Sequence, residues 1–269
     1  MRVRLLGTGG AANEARHQAA LLVEWGEASE SGRILLDTGN GLDTVRLLIG
    51  AGCEPDLVRD IFVSHQHVDH VGGLEPLLLW SVIRALRAHG RPPDAETRVV
   101  ADPRVLADIE HLFQATITAA PRLYGDRLRW IEAADGAAVT LGQGARLTTF
   151  PVDHEPLGGG ARGCVVEHGG ARLVYSGDTR PTVQVIEAAQ GADILIHEAG
   201  GLDAHADEVH RLGHSTGGDA GRVARAARVG RLVLTHLPTD ALAERMLAEA
   251  RAAFGGPVDL GTDLALIEV

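Results

Sequence analysis

Residues 64–70 read Ser64-His65-Gln66-His67-Val68-Asp69-His70. Four of these side chains are potential metal ligands: His65, His67, Asp69 and His70. An apolar run at 60–63 precedes them and predicts a short buried strand, and the pair Gly72-Gly73 follows. Apolar residues then recur at helical spacing, which predicts a helix over 73–89. The ligands therefore lie between a strand end and a helix start, where layered α/β proteins build their sites.

The spacing within this stretch predicts two cation sites. His65 and His67 are two residues apart, so from an extended strand end they point the same way and can hold one cation. Asp69 and His70 follow the turn and can hold a second cation.

Composition describes an ordinary globular enzyme. The chain has 269 residues, of which 45% are hydrophobic and 23% charged, and no linker or low-complexity segment divides it. We expect a single domain over 1–269. No apolar run approaches the roughly 20 residues of a membrane span, and the first residues lack the apolar length of a signal peptide, so a cytoplasmic location is expected. Cys53 and Cys164 are expected to be buried reduced thiols.

The charged residues exclude several kinds of chemistry. Net charge is −11, from 36 acidic and 25 basic residues, and every basic residue is arginine. The absence of lysine excludes a Schiff-base lysine and a P-loop lysine. The acidic balance argues against nucleic-acid binding through bulk charge. The glycines at 7–10 predict a tight turn rather than a phosphate cradle, since the third glycine of a dinucleotide motif is missing.

The pattern of a strand followed by a polar ligand recurs along the chain. It occurs at 150–154, 175–178, 194–198 and 233–236, which end in or contain His154, Asp178, Glu198 and His236. Ligands that leave one edge of a sheet sandwich converge. Asp37 also follows an apolar run and is interpreted either as an acceptor behind the metal site or as a turn cap.

This ordered set of ligand motifs resembles the metallo-β-lactamase superfamily, and the resemblance covers essentially the whole chain. It implies an αββα sandwich, with two packed mixed sheets, helices outside and a two-metal site along one edge. By resemblance, the first metal is held by His65, His67 and His154. The second is held by Asp69, His70 and His236, and Asp178 bridges the two. Members that use iron typically have a glutamate where this chain has His67, so two Zn²⁺ ions are expected, with Mn²⁺ or Fe²⁺ as alternatives.

Three further stretches resemble the ribonuclease Z branch. They are Tyr175-Ser176-Gly177-Asp178-Thr179-Arg180-Pro181, His197-Glu198-Ala199 and Gly213-His214-Ser215-Thr216. In that branch the glutamate and the histidine form a pair that assists proton transfer, roles that fall here on Glu198 and His214. The branch has a threonine where this chain has Gly200.

One departure from that branch concerns the substrate. Members that process transfer RNA insert a long Gly/Pro-rich arm between the third and fourth ligand motifs. Here only 24 positions separate His154 from Asp178, and the loop predicted at 155–160 is too short for an arm. We therefore expect a small phosphodiester or other ester as substrate rather than RNA. A homodimer through the helix at 74–86 is expected by resemblance.

The predicted activity is two-metal hydrolysis. A hydroxide generated at the two ions attacks phosphorus, Asp69 orients or deprotonates the water, and His214, kept protonated by Glu198, stabilises the transition state. The alternatives are a lactonase, thioesterase or sulfatase on the same fold, and a non-catalytic member that binds a metal or metabolite. Arg180 is left open between substrate contact and a carboxylate pair. His205 and His210 are not expected to be ligands.

Overall fold

The chain forms two seven-stranded mixed sheets. A computed structural model describes residues 1–26, 31–115, 120–154 and 159–269. Most of the loop predicted at 155–160 lies outside these residues. Cys53 and Cys164 are buried and unpaired, as predicted. Within the described ranges, the structure contains no helix long and apolar enough to cross a membrane.

The first sheet has the order β14-β1-β2-β3-β4-β5-β6. Its strands are β1 (Arg2–Gly7), β2 (Ala20–Trp25), β3 (Gly32–Leu36), β4 (Asp60–Phe62), β5 (Thr97–Ala101), β6 (Leu128–Glu132) and β14 (Leu266–Glu268). The pairings from β14 to β3 are antiparallel and those from β3 to β6 are parallel.

The second sheet repeats this arrangement in the order β13-β12-β11-β10-β9-β8-β7. Its strands are β7 (Ala138–Thr140), β8 (Arg146–Pro151), β9 (Arg162–His168), β10 (Ala171–Tyr175), β11 (Ile194–Glu198), β12 (Arg231–Thr235) and β13 (Val258–Leu260). The pairings from β7 to β10 are antiparallel and those from β10 to β13 are parallel. The carboxyl ends of the parallel strands therefore lie along one edge of each sheet.

Helices cover the outer face of each sheet. They are α1 (Asp43–Gly50), α2 (Val68–Val71), α3 (Leu74–His89), α4 (Pro103–Ala115), α5 (Ala120–Tyr124), α6 (Val183–Ala188), α7 (Ala206–Arg211), α8 (Gly217–Ala227) and α9 (Asp240–Phe254). One apolar cluster joins the first sheet to α1, α3 and α4, and a second joins the other sheet to α6, α8 and α9. A third fills the space between the sheets, where Leu5, Phe62, Leu173 and Val233 are fully buried. The predicted αββα sandwich is confirmed.

Several local predictions differ from the structure. The strands β6 and β13 were not predicted: β6 has a single buried residue, Leu128, and β13 has only three residues. The polar residues of 203–212 suggest a loop, but the segment contains α7. Asp43 is a candidate N-cap by residue type, but the N-cap of α1 is Leu42, and Asp43 is the first helical residue.

The helix α8 begins with a reciprocal cap that closes the loop carrying His214. Thr216 accepts a hydrogen bond from the backbone of Asp219, whose carboxylate accepts one from the backbone of Thr216. The same carboxylate contacts His210 Nε2 at 2.7 Å and Arg222 at 2.7 Å. Burial raises the pKa of Asp219, but the bonds from His210, Arg222 and Thr216 outweigh it and lower the pKa to about 2.

We predict that Asp219→Asn destabilises the fold in a pH-dependent way. The folded pKa lies below the unfolded value of about 3.9. Asp219 therefore stabilises the fold fully above about pH 4, and this contribution is lost between about pH 4 and 2. Urea unfolding at pH 7 should show a loss of about 1–2 kcal/mol, and a smaller loss at pH 3. The exposed Asp207 of α7 provides an Asp→Asn control with little effect. Equal losses at both pH values would contradict this role.

Candidate metal centre

The predicted ligands meet where strands of both sheets end. His65 and His67 follow β4, and His67, in extended backbone, is the residue before α2, which carries Asp69 and His70. His154 follows β8, Asp178 follows β10 and His236 follows β12. All of these side chains except His67 are buried. The structure thus brings together all seven residues that the sequence places in the site.

The first group of candidate ligands consists of His65, His67, His154 and Asp178, whose ligand atoms all lie within 4.8 Å of one another. His67 Nδ1 lies 2.9 Å from His65 Nε2 and 3.1 Å from His154 Nε2. His154 Nδ1 lies 2.8 Å from the carbonyl oxygen of Gly213. Since a carbonyl only accepts, His154 Nδ1 carries the proton and its Nε2 presents a lone pair to the centre.

The second group consists of Asp69, His70 and His236, again with ligand atoms within 4.8 Å of one another. His236 Nε2 lies 3.2 Å from Asp69 Oδ2. His70 Nε2 lies 3.6 Å from the same oxygen. The short helix α2 therefore places Asp69 and His70 in a second ligand group, although the rings of His65 and His70 lie 4.2 Å apart.

Asp178 lies between the two groups. Its Oδ2 is 3.2 Å from His236 Nε2 and 3.4 Å from His70 Nε2, and 3.9 Å from the Nε2 atoms of His65 and His154. This carboxylate is 2% exposed, and its Oδ1 has no hydrogen-bond partner among the residues the structure describes. A position between both groups is what a bridging ligand requires.

Electrostatics keeps the three histidines of the first group neutral and the carboxylates ionised. Burial lowers the pKa of His65 well below its usual value, and it also lowers the pKa of His67 and His154. Burial acts in the opposite direction on Asp69 and Asp178. The histidines around them nevertheless lower the pKa of Asp69 to about 2 and that of Asp178 well below its usual range. Neutral imidazoles and ionised carboxylates are the forms that bind metals.

The donor set fits a pair of divalent cations. Lone pairs of buried imidazoles and an unpartnered buried carboxylate oxygen face one another, an arrangement that is costly without a positive charge between them. Nitrogen-rich coordination with a few carboxylates suits zinc and its neighbours in the first transition series.

Asp37 lies behind the candidate ligands and fixes their position through hydrogen bonds. Its fully buried carboxylate accepts hydrogen bonds from Ser64 N and Oγ at 2.7 Å, from His70 Nδ1 at 2.7 Å and from the Tyr175 hydroxyl at 2.8 Å. The bond to His70 Nδ1 leaves His70 Nε2 free to bind a metal. Of the two interpretations of Asp37, the structure therefore supports the acceptor behind the metal site.

Backbone strain marks the same region. Asp37 has φ 56° and His236 has φ 54°, in the left-handed region that non-glycine residues rarely occupy. Such strain costs of the order of 1–3 kcal/mol and is found mostly at functional sites. Gly10 lies against His236, and a Cβ on Gly10 would stand 3.0 Å from the imidazole Cε1. The turn at 7–10 thus packs on a candidate ligand.

Glu198 and His214 form a pair beside the metal centre. The carboxylate of Glu198 is fully buried, and its Oε1 accepts hydrogen bonds from His214 Nδ1 at 3.0 Å and from Thr179 N at 2.9 Å. Burial lowers the pKa of His214, but the charge and hydrogen bond of Glu198, together with Asp178, raise it to about 9. His214 is therefore a protonated group within 3.9 Å of Asp178 Oδ2.

Gly200 explains how His214 comes so close. A Cβ on Gly200 would stand 2.7 Å from His214 Cβ and 3.5 Å from Glu198 Oε2. Since real Cβ atoms do not approach to 2.7 Å, a side chain at this position would displace the imidazole.

The sequence left the role of Arg180 open between substrate contact and a carboxylate pair. In the structure its side chain binds other residues of the protein. Its guanidinium pairs with Asp153 Oδ1 at 2.6 Å and donates to the carbonyl oxygen of His210. It thereby ties the residue before His154 to the loop that carries His214. His210 binds Asp219, and His205 is exposed at the start of α7.

A cavity of about 500 Å³ opens onto this centre. The residues that line it are Gly10, Ala11, Ala12, His67, Val68, Asp69, Asp178, Gly200, Leu212, His214, His236 and Pro238. Sequence reasoning missed the walls formed by Ala11, Ala12, Leu212 and Pro238, because no motif marks these apolar residues as part of a site.

Comparison with known proteins places the chain in a family. The sequence model of the beta-lactamase superfamily domain matches residues 32–237. An uncharacterised protein of Mycobacterium tuberculosis (strain ATCC 25618 / H37Rv) is 33% identical over 205 residues, which cover 74% of this chain and 68% of that protein. The chain belongs to the beta-lactamase superfamily.

Ribonucleases Z are among its relatives. That of Myxococcus xanthus (strain DK1622) is 42% identical over 102 residues, or 37% of this chain and 33% of that protein. The match thus spans about a third of the length of this ribonuclease Z. The metallo-beta-lactamase fold protein YhfI from Bacillus subtilis superposes with a TM-score of 0.81 at 21% identity, covering 99% of this chain and 98% of that one. At that identity the likeness establishes the fold alone.

We predict that the protein binds two zinc ions per chain and that Asp178→Asn loses at least one of them. Removing the charge that lies between both groups should weaken each of them. Metal analysis of the zinc-loaded, desalted protein measures the content. Asp193→Asn, at an exposed position before β11, is the matched control and should retain two ions. An Asp178→Asn protein with two ions would remove this residue from the coordination set.

Proposed function

We propose that the protein is a two-metal phosphodiesterase related to ribonuclease Z. Its metals would be zinc, held by His65, His67 and His154 and by Asp69, His70 and His236, with Asp178 shared between them. The observation that carries the proposal is the Glu198–His214 pair, which lies against this ligand set and presents His214 to the same cavity. We further propose that residues 1–269 form one domain, since one buried cluster joins the two sheets.

When bound, two divalent ions supply Lewis acidity to the phosphoryl oxygens and to the attacking water. The chain supplies the remaining chemistry. The ionised carboxylate of Asp69 lines the cavity and accepts a hydrogen bond from the attacking water. In this way the carboxylate orients the water and takes up its proton.

His214 acts on the other side of the reaction. Its Nδ1 proton is held by Glu198 Oε1, so its Nε2–H can donate to the charge that develops on phosphate oxygen or to the leaving oxygen. Glu198 is held in turn by Thr179 N. Because both partners are fixed by buried hydrogen bonds, His214 requires little reorganisation during the reaction.

The proposed substrate is a small phosphodiester rather than RNA. The cavity of about 500 Å³ is of the size that holds a small molecule, and the net charge of −11 opposes a long polyanion. The homodimer stays a prediction. On α3, the helix expected at the interface, Ile83 and Leu86 are each 38% exposed.

The first test is hydrolysis of bis(p-nitrophenyl) phosphate by the zinc-loaded protein. We expect turnover that disappears when a chelator strips the metal and returns when zinc is added back. The stripped protein is the control, with circular dichroism to confirm that it remains folded. Absence of turnover with zinc shown to be bound would overturn the phosphodiesterase assignment and favour carboxylic, thio- or sulfate esters, or a binding protein.

The second test separates His214 from the metal ligands. His214→Ala should keep its zinc and its fold but lose about 10²-fold or more in kcat, since it removes a proton donor and a source of transition-state stabilisation. Glu198→Gln should lose activity in the same direction. His205→Ala, at an exposed position on the same segment, should retain full activity. Unchanged turnover by His214→Ala would remove this residue from the mechanism.

A further inference from the structure

We infer that the cavity beside the metal centre selects a phosphodiester whose second substituent is apolar and uncharged, so that the substrate carries one negative charge, on the reacting phosphoryl group. This inference rests on the proposed function and adds the substrate class to it. It is carried by the apolar part of the cavity lining, which we call the apolar wall.

The apolar wall consists of Ala11, Ala12, Val68, Leu212 and Pro238. Val68 is 63% exposed and Leu212 is 54% exposed. A bound apolar substituent would remove both side chains from water and gain roughly fourfold in affinity for each methylene that it buries.

The two exposed side chains also stand close to the chemistry. Val68 lies between the candidate ligands His67 and Asp69, and Leu212 precedes His214 by two residues. A group held between Val68 and Leu212 therefore sits within reach of the reacting phosphoryl group. The positions of these side chains make them specificity determinants of the reaction.

Apart from His214, which acts on the reacting phosphoryl group in the proposed mechanism, and the histidines among the candidate ligands, the described lining of the cavity contains no basic side chain. No arginine lines it, and residues 155–158, which follow His154, contain no arginine in sequence. The arginines nearest in sequence to its walls are engaged elsewhere. Arg16 binds Asp240, Thr8 Oγ1 and the Gly261 carbonyl.

The other neighbouring arginines have carboxylate partners outside the cavity lining. Arg180 binds Asp153 and the His210 carbonyl, and Arg211 pairs with Glu208 at 4.0 Å on the surface. A flanking phosphate or carboxylate would therefore enter an apolar cavity without a partner, which is costly. A terminal phosphate, a dinucleotide or a longer nucleic acid is thus disfavoured relative to a singly charged diester.

Three p-nitrophenyl phosphodiesters that share a leaving group test this inference. Their second substituents are methyl, phenyl and 4-carboxyphenyl. With the zinc-loaded protein, kcat/KM for the phenyl ester should exceed that for the methyl ester by about tenfold or more, because the ring buries the apolar wall. The carboxyphenyl ester should fall about tenfold or more below the phenyl ester. Equal values for the phenyl and carboxyphenyl esters would overturn the inference.

A cation placed on the wall should reverse this preference. Leu212→Arg should lower the phenyl-to-carboxyphenyl ratio of kcat/KM by about tenfold or more, since it supplies the missing charge and removes apolar surface. Leu57→Arg is the matched control: Leu57 is 50% exposed and lies before β4, at the end opposite to the site. A ratio that Leu212→Arg leaves unchanged, with zinc content also unchanged, would overturn the assignment of this residue.

A binding measurement distinguishes a failure of this inference from a failure of the proposed function. Titration calorimetry with diphenyl phosphate and with its 4-carboxyphenyl analogue should show that the zinc-loaded protein binds diphenyl phosphate, whose substituents are uncharged, about tenfold or more tightly than the analogue. If none of the three esters is hydrolysed, the phosphodiesterase proposal fails, and the calorimetric ratio still decides the preference of the cavity. Equal binding of the two compounds would overturn the inference even if hydrolysis is observed.

Discussion

The buried carboxylate of Asp37 connects the two halves of the sandwich to the metal centre. It belongs to the end of β3 in the first sheet and accepts a hydrogen bond from Tyr175, at the end of β10 in the second. It also binds Ser64 and the ring of His70, and so fixes the start of the ligand loop and the tautomer of a candidate ligand. A buried carboxylate without such donors would be severely destabilising. Removal of any donor therefore affects both the packing of the sheets and the metal centre.

The duplicated sheet order explains why ligands scattered over the chain converge. In each sheet three antiparallel pairings are followed by three parallel ones. Asp37 and Asp178 follow the corresponding strands β3 and β10, at the point where the parallel pairings begin. One acts behind the ligands and the other lies among them. The sheet order thus places equivalent loops of both halves at one edge, and the residue types in those loops assign their separate tasks.

The resemblance of the ligand motifs to a known superfamily implied the sandwich, and local patterns in the sequence predicted that the ligands cluster. A ligand directly after an apolar strand must lie at a sheet edge, as His154 and His236 do. The other contacts at the site depend on three-dimensional packing, so the sequence could not predict them. Nothing in the sequence around Arg180 indicates that its guanidinium binds the His210 carbonyl, and the approach of His214 to Gly200 depends on the path of two loops. The three residues of β13 are too few for a periodicity to predict this strand.

The residues that carry the chemistry of the site and those that set its specificity lie in different parts of the fold. The candidate ligands and the Glu198–His214 pair stand at strand ends or next to a capped helix, where the backbone is fixed by the sheets and by the Thr216–Asp219 cap. The cavity walls come instead from loop residues such as Ala12 and Pro238, which make few demands on the fold. Substitutions there change what the cavity accepts at little cost in stability. Relatives with the same ligand set can therefore differ in substrate, and the apolar wall, which no described arginine lines, is the basis on which we propose a small singly charged ester rather than a polyanion.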